Sequence, residues 1–304
     1  MLCVPRKFVL CVALCLTAAA FLHSQQTQSP QVSANDLVRE TVAREVAEAN
    51  QPRHMHMFRS RKQTAKGSQT RLYLETKDAM AGMLIAINDQ PLSAQQQQAE
   101  KDHLNWLAGN PEQLRKKHAR EKEDADRSVR IVKALPDAFR YEYAGTEASE
   151  PDLGKMGDEL VKLKFVPNPA YSPPSHLEQV LEGMQGYLLI DAAAHRIARI
   201  DGTLFRDVSF GWGIIGHLDK GGHFRVQQAD VGDGCWDITS MSLKMTGKIL
   251  MFKGISMISD EKFSDFRQMP GDLTFGKAAD VLKDEQEKLA NNHAPEPAST
   301  KKDQ

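Results

Sequence analysis

The stretch Gly186-Tyr187-Leu188-Leu189-Ile190-Asp191, followed across three alanines by His195-Arg196-Ile197-Ala198-Arg199-Ile200, decides the fold class. Branched and aromatic side chains on either side of a short break suit two adjoining strands better than a helix. The character persists to Phe266. Strands are predicted from Gly186 to Asp191, His195 to Phe205, His223 to Val231, Trp236 to Thr246 and Lys248 to Ile258, with hairpin connections. Within the last of these, Ile249-Leu250-Met251-Phe252 is apolar on both alternating faces, which predicts a strand covered on both sides.

Working outward, Ser33 to Asn50 has apolar residues at helical spacing, with Ser33 or Asn35 as the N-cap. Alternating stretches near His54 to Arg59, Gln69 to Thr76 and Ala81 to Asn88 read as antiparallel strands. Two helices are expected between Ser93 and Leu135, broken at Gly109-Asn110-Pro111, where Asn110 can cap the second helix and Pro111 can open it. The second is dense in charge, which reads as a solvated face. Strands return at Ala138 to Tyr143 and Glu159 to Val166. Closely spaced prolines from Pro167 to Pro174 block any helix, and a short one follows from Ser175 to Glu182. Gly276 to Leu289 is expected to be helical, and Pro295 to Gln304 disordered.

The N-terminus has a different purpose. Arg6 and Lys7 precede an apolar run, Phe8 to Ala20, which ends in the small residues Ala18-Ala19-Ala20, with Ser24 beyond. That order predicts a cleavable signal peptide within residues 1–24 and a periplasmic or secreted protein. The run is too short to span a bilayer, which takes about 20 residues. Leu14 before Cys15 disfavours lipidation. Cys3, Cys11 and Cys15 leave with the signal, so the mature chain keeps Cys235, expected to pack beside Trp236, and must hold together by its apolar core. Net charge is -1 for the whole chain and about -3 without the signal, which gives no electrostatic case for nucleic acid. No other apolar run is long enough to form a transmembrane segment.

Motifs for chemistry are sparse. Gly211-Trp212-Gly213-Ile214-Ile215-Gly216 has the spacing of a dinucleotide-binding glycine motif, but the following residues read as a turn and a strand rather than the required helix. Trp212, Ile214 and Ile215 are instead candidates for an apolar interaction loop. His54-Met55-His56-Met57 places two histidines on one strand face, yet no third ligand is evident, and strand packing is the simpler reading. The aspartates fall mostly at turns and strand ends. Neither a catalytic set nor a cofactor or metal site is assigned. Met241, Leu243, Met245, Ile249, Met251 and Phe252 form the candidate ligand surface, since flexible thioethers adapt to irregular apolar partners.

An N-terminal helix, many antiparallel strands and apolar strand faces together resemble the LolA, LolB and RseB superfamily of periplasmic lipoprotein-handling proteins. The nearest likeness is to uncharacterised exported bacterial proteins with a Phe-Gly-Trp-Gly segment, here Phe210 to Gly213, and a following Leu-Asp-Lys-Gly-Gly, here Leu218 to Gly222. The resemblance covers residues 33–269. It implies an α+β fold: a strongly curved antiparallel sheet, or incomplete barrel, with helices on its concave side. Residues 93–135 are then a charged helical insertion, and 270–304 a C-terminal helix and tail. By the same resemblance, the partner is an acyl or other hydrophobic ligand, or a lipoprotein. The alternative is an RseB-like sensor docking an envelope protein, and a hydrolase or metalloenzyme is a third reading.

Overall fold

In the computed structural model, residues 32–51, 54–211, 215–232, 234–249 and 253–292 are described. Among them, thirteen strands join in one strongly curved antiparallel sheet that does not close, and five α-helices pack on it. An N-terminal meander holds β1 (Met55–Thr64), β2 (Gly67–Leu74), β3 (Ala81–Ile87) and the short β4 (Gln90–Pro91). The second meander runs through β5 (Phe139–Ala148), β6 (Glu159–Pro167), β7 (Met184–Asp191) and β8 (Arg196–Leu204). It continues through β9 (Val208–Phe210), β10 (Gly216–Leu218), β11 (His223–Asp230), β12 (Trp236–Ile249) and β13 (Lys253–Met269). The spatial order is β4-β3-β2-β1-β13-β12-β11-β8-β7-β6-β5, so β13 joins the two meanders by pairing with β1.

Local chemistry starts the helices where the sequence predicts. Ser33 Oγ accepts from the Asp36 backbone N–H and caps α1 (Ala34–Ala49). Ser93 and Gln96 form a capping box on α2 (Ala94–Ala108), and Asn110 caps α3 (Pro111–Ala138) with Pro111 in its first turn. A short α4 (His176–Gln179) precedes β7, and α5 (Phe275–Asn292) ends the described chain. The Phe275 N–H donates to Asp78 Oδ2 at 3.0 Å, anchoring the start of α5 to the connection after β2. The charges of α3 pair along its own surface, as in Lys116–Glu112 and Lys122–Asp126.

One predicted strand is corrected. Ile249 ends β12 and pairs with Lys253 at the start of β13, so Lys248 to Ile258 is the meeting of two strands. Lys248, Lys253 and Gly254 beside this connection are exposed, and the covering expected of Ile249 to Phe252 falls on side chains outside the described residues. The connection carries none of the Gly, Pro, Asn or Asp residues that mark a turn. Leu250, Met251 and Phe252 lie outside the described residues, as do residues 1–31, where the signal peptide is expected, and the tail from 293.

Directly paired residues share a face, which sorts the helices. The row Thr70, Arg61, Lys262, Ser240, Gln227, Arg199 and Leu189 crosses the sheet on one face. Met57, two pairs along from Arg61, lies on it too, in a core where Leu72, Leu74 and Met83 meet Leu104 of α2 and Phe275 and Leu282 of α5. At the far end of this face sits a smaller cluster, Leu153, Leu160, Leu189 and Ala198. The opposite face carries the larger core, in which α1 and the end of α3 cover Phe139, Leu163, Leu188 and Leu204. The buried Arg196 guanidinium, bonded to Glu45 at 3.0 and 3.1 Å, ties α1 to β8.

Glycine permits the closest strand approach. A Cβ on Gly186 would lie 1.9 Å from the Asp201 backbone oxygen, so β7 and β8 could not hold their register around any larger residue. Gly186→Ala should therefore destabilise the protein by about 2–4 kcal/mol, as expected for overpacking against backbone. The urea midpoint measures it, and an unchanged midpoint would show that the strands part without cost.

Candidate functional site

Between the α5 core and the Leu153 cluster, the face that carries Arg61 and Lys262 is only overhung by the end of α5. A cleft of about 770 Å³ lies there, within the roughly 300–1,000 Å³ typical of small-molecule sites. Its floor comes from adjoining strands: Arg59 and Arg61 of β1, Thr70 of β2, and Lys262 and Ser264 of β13. Ile85, Ala86 and Pro91 supply an apolar wall, and Leu289 and Ala290 of α5 another. Asp152 and Thr239 close the side toward the Leu153 cluster, where the Thr239 hydroxyl donates to the Asp152 carbonyl at 2.6 Å.

Gln286 of α5 lines this cleft and is only 4% exposed, yet neither Oε1 nor Nε2 of its amide has a hydrogen-bond partner. Such a group costs about 1–3 kcal/mol of stability. The surrounding charges are mostly matched. Arg61 donates to Asp89 from Nε and Nη2 at 2.7 and 2.6 Å, and this fork holds the Asp89 carboxyl below its ordinary value. Arg59 Nε lies 2.8 Å from Asp265 Oδ2. Asp265 has a left-handed φ of 58° at an irregularity in the β1–β13 register, which turns its carboxylate onto that arginine. Lys262 makes no ion pair among the described residues.

Two other clefts are more thoroughly charged. One of about 730 Å³ brings Arg44, Lys155 and Arg196 together with Glu40, Glu48 and Asp230, beside Trp236. The other, about 660 Å³, lies where α2 and α3 meet β2 and β3. There the Glu121 and Glu100 carboxylates accept from the backbone N–H groups of Met80 and Leu84 at 3.1 and 2.9 Å, covering the edge of β3. The first also contains a buried unpartnered atom, His195 Nδ1, whereas the α5 cleft sets its unpartnered amide between apolar walls.

The residues singled out from sequence lie elsewhere. Met241, Leu243 and Met245 share the face opposite the cleft: Met245 is buried in the larger core, Leu243 packs against that core, and Met241 is exposed. The backbone of Ile249 pairs with Gly216 and Lys253. Met251 and Phe252 lie outside the described residues, as do Trp212 and Ile214, while Ile215 is half exposed. The glycine motif falls between β9 and β10, two strands that pair with each other. His56 packs edge-on to Phe266, 3.8 Å from Glu75, and His54 bonds to Gln268. No group of three or more His, Cys, Asp or Glu side chains that could hold a metal is found among the described residues.

Sequence reasoning missed Arg59, Arg61, Lys262 and Gln286. Gln286 had a signal: it follows Ala278, Ala279 and Leu282 on the buried stripe of α5, where an apolar residue is expected.

No protein-family model matches the chain, and no curated protein matches it. Among solved structures it is similar to the crystal structure of a DUF1329 family protein from Desulfovibrio piger ATCC 29098. That likeness has 10% sequence identity and a TM-score of 0.26, and covers 77% of this chain and 93% of the other.

Two measurements probe α5, one at the cleft and one beside it. Gln286→Leu should stabilise the protein by about 1–2 kcal/mol, because it removes a buried unsatisfied amide, and a thermal melt would reveal a loss instead if the amide were structurally required. Glu285 accepts from Arg267 at 2.8 Å, and that bond, joined by Lys288, lowers its carboxyl below the ordinary 4.5. A lowered value means that the pair stabilises α5 above about pH 4.5 and ceases to do so as acid protonates the folded carboxylate. The melting points of wild type and Glu285→Gln should thus differ at neutral pH and converge in acid.

Proposed function

We propose that the chain is an exported, non-enzymatic binding protein of the bacterial cell envelope, holding an acyl or other hydrophobic group between α5 and the middle of the sheet. The observation that carries this reading is the cleft itself, walled by Ile85, Pro91, Leu289 and Ala290 and roofed by a buried amide without a partner. Burying a chain there supplies affinity at about 0.8 kcal/mol per methylene removed from water. Export is supported by the basic, apolar and small-residue order of the N-terminus. No helix among the described residues is long and apolar enough to cross a membrane. A LolA-like organisation fits an open curved sheet with helices, and of Met241, Leu243 and Met245 on its other face only Met241 is exposed.

Native mass spectrometry of the protein from periplasm or culture fluid, followed by organic extraction, tests the reading. A discrete lipid-sized mass is expected. A bare protein that also takes up no fluorescent fatty-acid probe would remove its support.

An RseB-like docking role is favoured by one separate observation: Met257 and Ile258, on opposite faces of β13 where it pairs with β12, are 43% and 42% exposed, and Ile215 is 50% exposed. Replacing Met257 and Ile258 with serine should then leave the melting point unchanged and weaken capture of an envelope protein. Unchanged capture would count against docking.

A further inference from the structure

Resting on the cleft as a hydrophobic binding site, we propose that its ligand is an amphiphile with an anionic head group, seated on Lys262 with the Gln286 amide N–H as second donor. The argument begins with cross-strand pairing. Lys262 stands directly opposite Arg61 on β1, and like charges so placed repel. Asp89 relieves Arg61 through its two-pronged bond and leaves Lys262 unmatched. On its other side Lys262 faces Ser240, whose hydroxyl is directed to Gln227. Asp260, the next acidic residue on the same face of β13, is engaged by Ser242 at 2.6 Å. Asp152 on the rim is exposed and forms no ion pair with Lys262 among the described residues.

The floor therefore offers one unpaired ammonium group, and the roof offers a buried amide with free donors. An anion satisfies both at once. Charge-assisted hydrogen bonds are the stronger kind, and the apolar wall of Leu289, Ala290 and Ile85 leaves the tail of such a molecule in hydrocarbon surroundings. A purely apolar ligand would bury Lys262 and Gln286 without partners, an unfavourable exchange. Carboxylate and phosphate heads share the required chemistry.

The test uses the purified full chain, stripped of bound lipid, in calorimetric titrations with decanoate, decyl phosphate and decan-1-ol. Both anions should bind about tenfold or more tightly than the alcohol, and whichever binds better identifies the head group. Lys262→Met should abolish the preference, whereas Lys244→Met, further along the same face toward the β12–β13 turn, should preserve it. Equal binding of all three ligands, or a preference that survives Lys262→Met, would overturn the anionic head while leaving the hydrophobic site standing. Failure of every ligand to bind would overturn both.

Discussion

Everything in this fold depends on the pairing of β1 with β13. Ser60 and Glu261, which meet across that seam through a hydroxyl–carboxylate bond of 2.5 Å, are 201 residues apart in the chain. Closing a loop of that size costs on the order of 5 kcal/mol before any contact rewards it. The return comes from a long antiparallel register, from Met55–Met269 to Thr64–Ser259, and from aromatic packing of Phe58 against Phe263 and Phe266. Without this seam the chain is two meanders, each with its own helices. With it, they share one sheet.

The seam also makes the site. Helices cover the sheet from different faces at its two ends, so the middle of one face is left to side chains that need not be apolar. Arg59, Arg61 and Lys262 stand there because β1 and β13 place them side by side, and α5 overhangs them with a glutamine where its stripe calls for leucine. Buried polarity of this kind works against stability, and sites that bind are a common place to find it.

How much of this was legible follows from how local each signal was. Ser33, Ser93, Asn110 and Pro111 act within one turn of themselves, and each cap was readable. Runs of strand-forming side chains, such as Gly186 to Asp191, were equally visible. The break between β12 and β13 was not, because the apolar sequence from Ile249 to Phe252 reads as a continuing strand. Site assignment failed for a deeper reason. Met245 and Lys262 lie on neighbouring strands but on opposite faces, and hydrophobicity alone ranks the methionine higher. Only long-range register shows which side chains look into a cleft. Gln286 was the exception, a polar break in a helical period that could be noticed without any fold.

Two cores lie on opposite faces of one continuous sheet, within one compact unit, and meet mainly through β13. Residues of β1 to β3 with α5 form one block, and β5 to β8 with α1 form the other. Amide hydrogens in the two blocks then exchange by separate opening events, with free energies set by each core. Anything lodged under α5 touches the first block directly and, through Asp152 and Thr239, the margin of the second. Occupancy would thus be felt as a merging of two exchange regimes, a change in the mechanics of the whole chain.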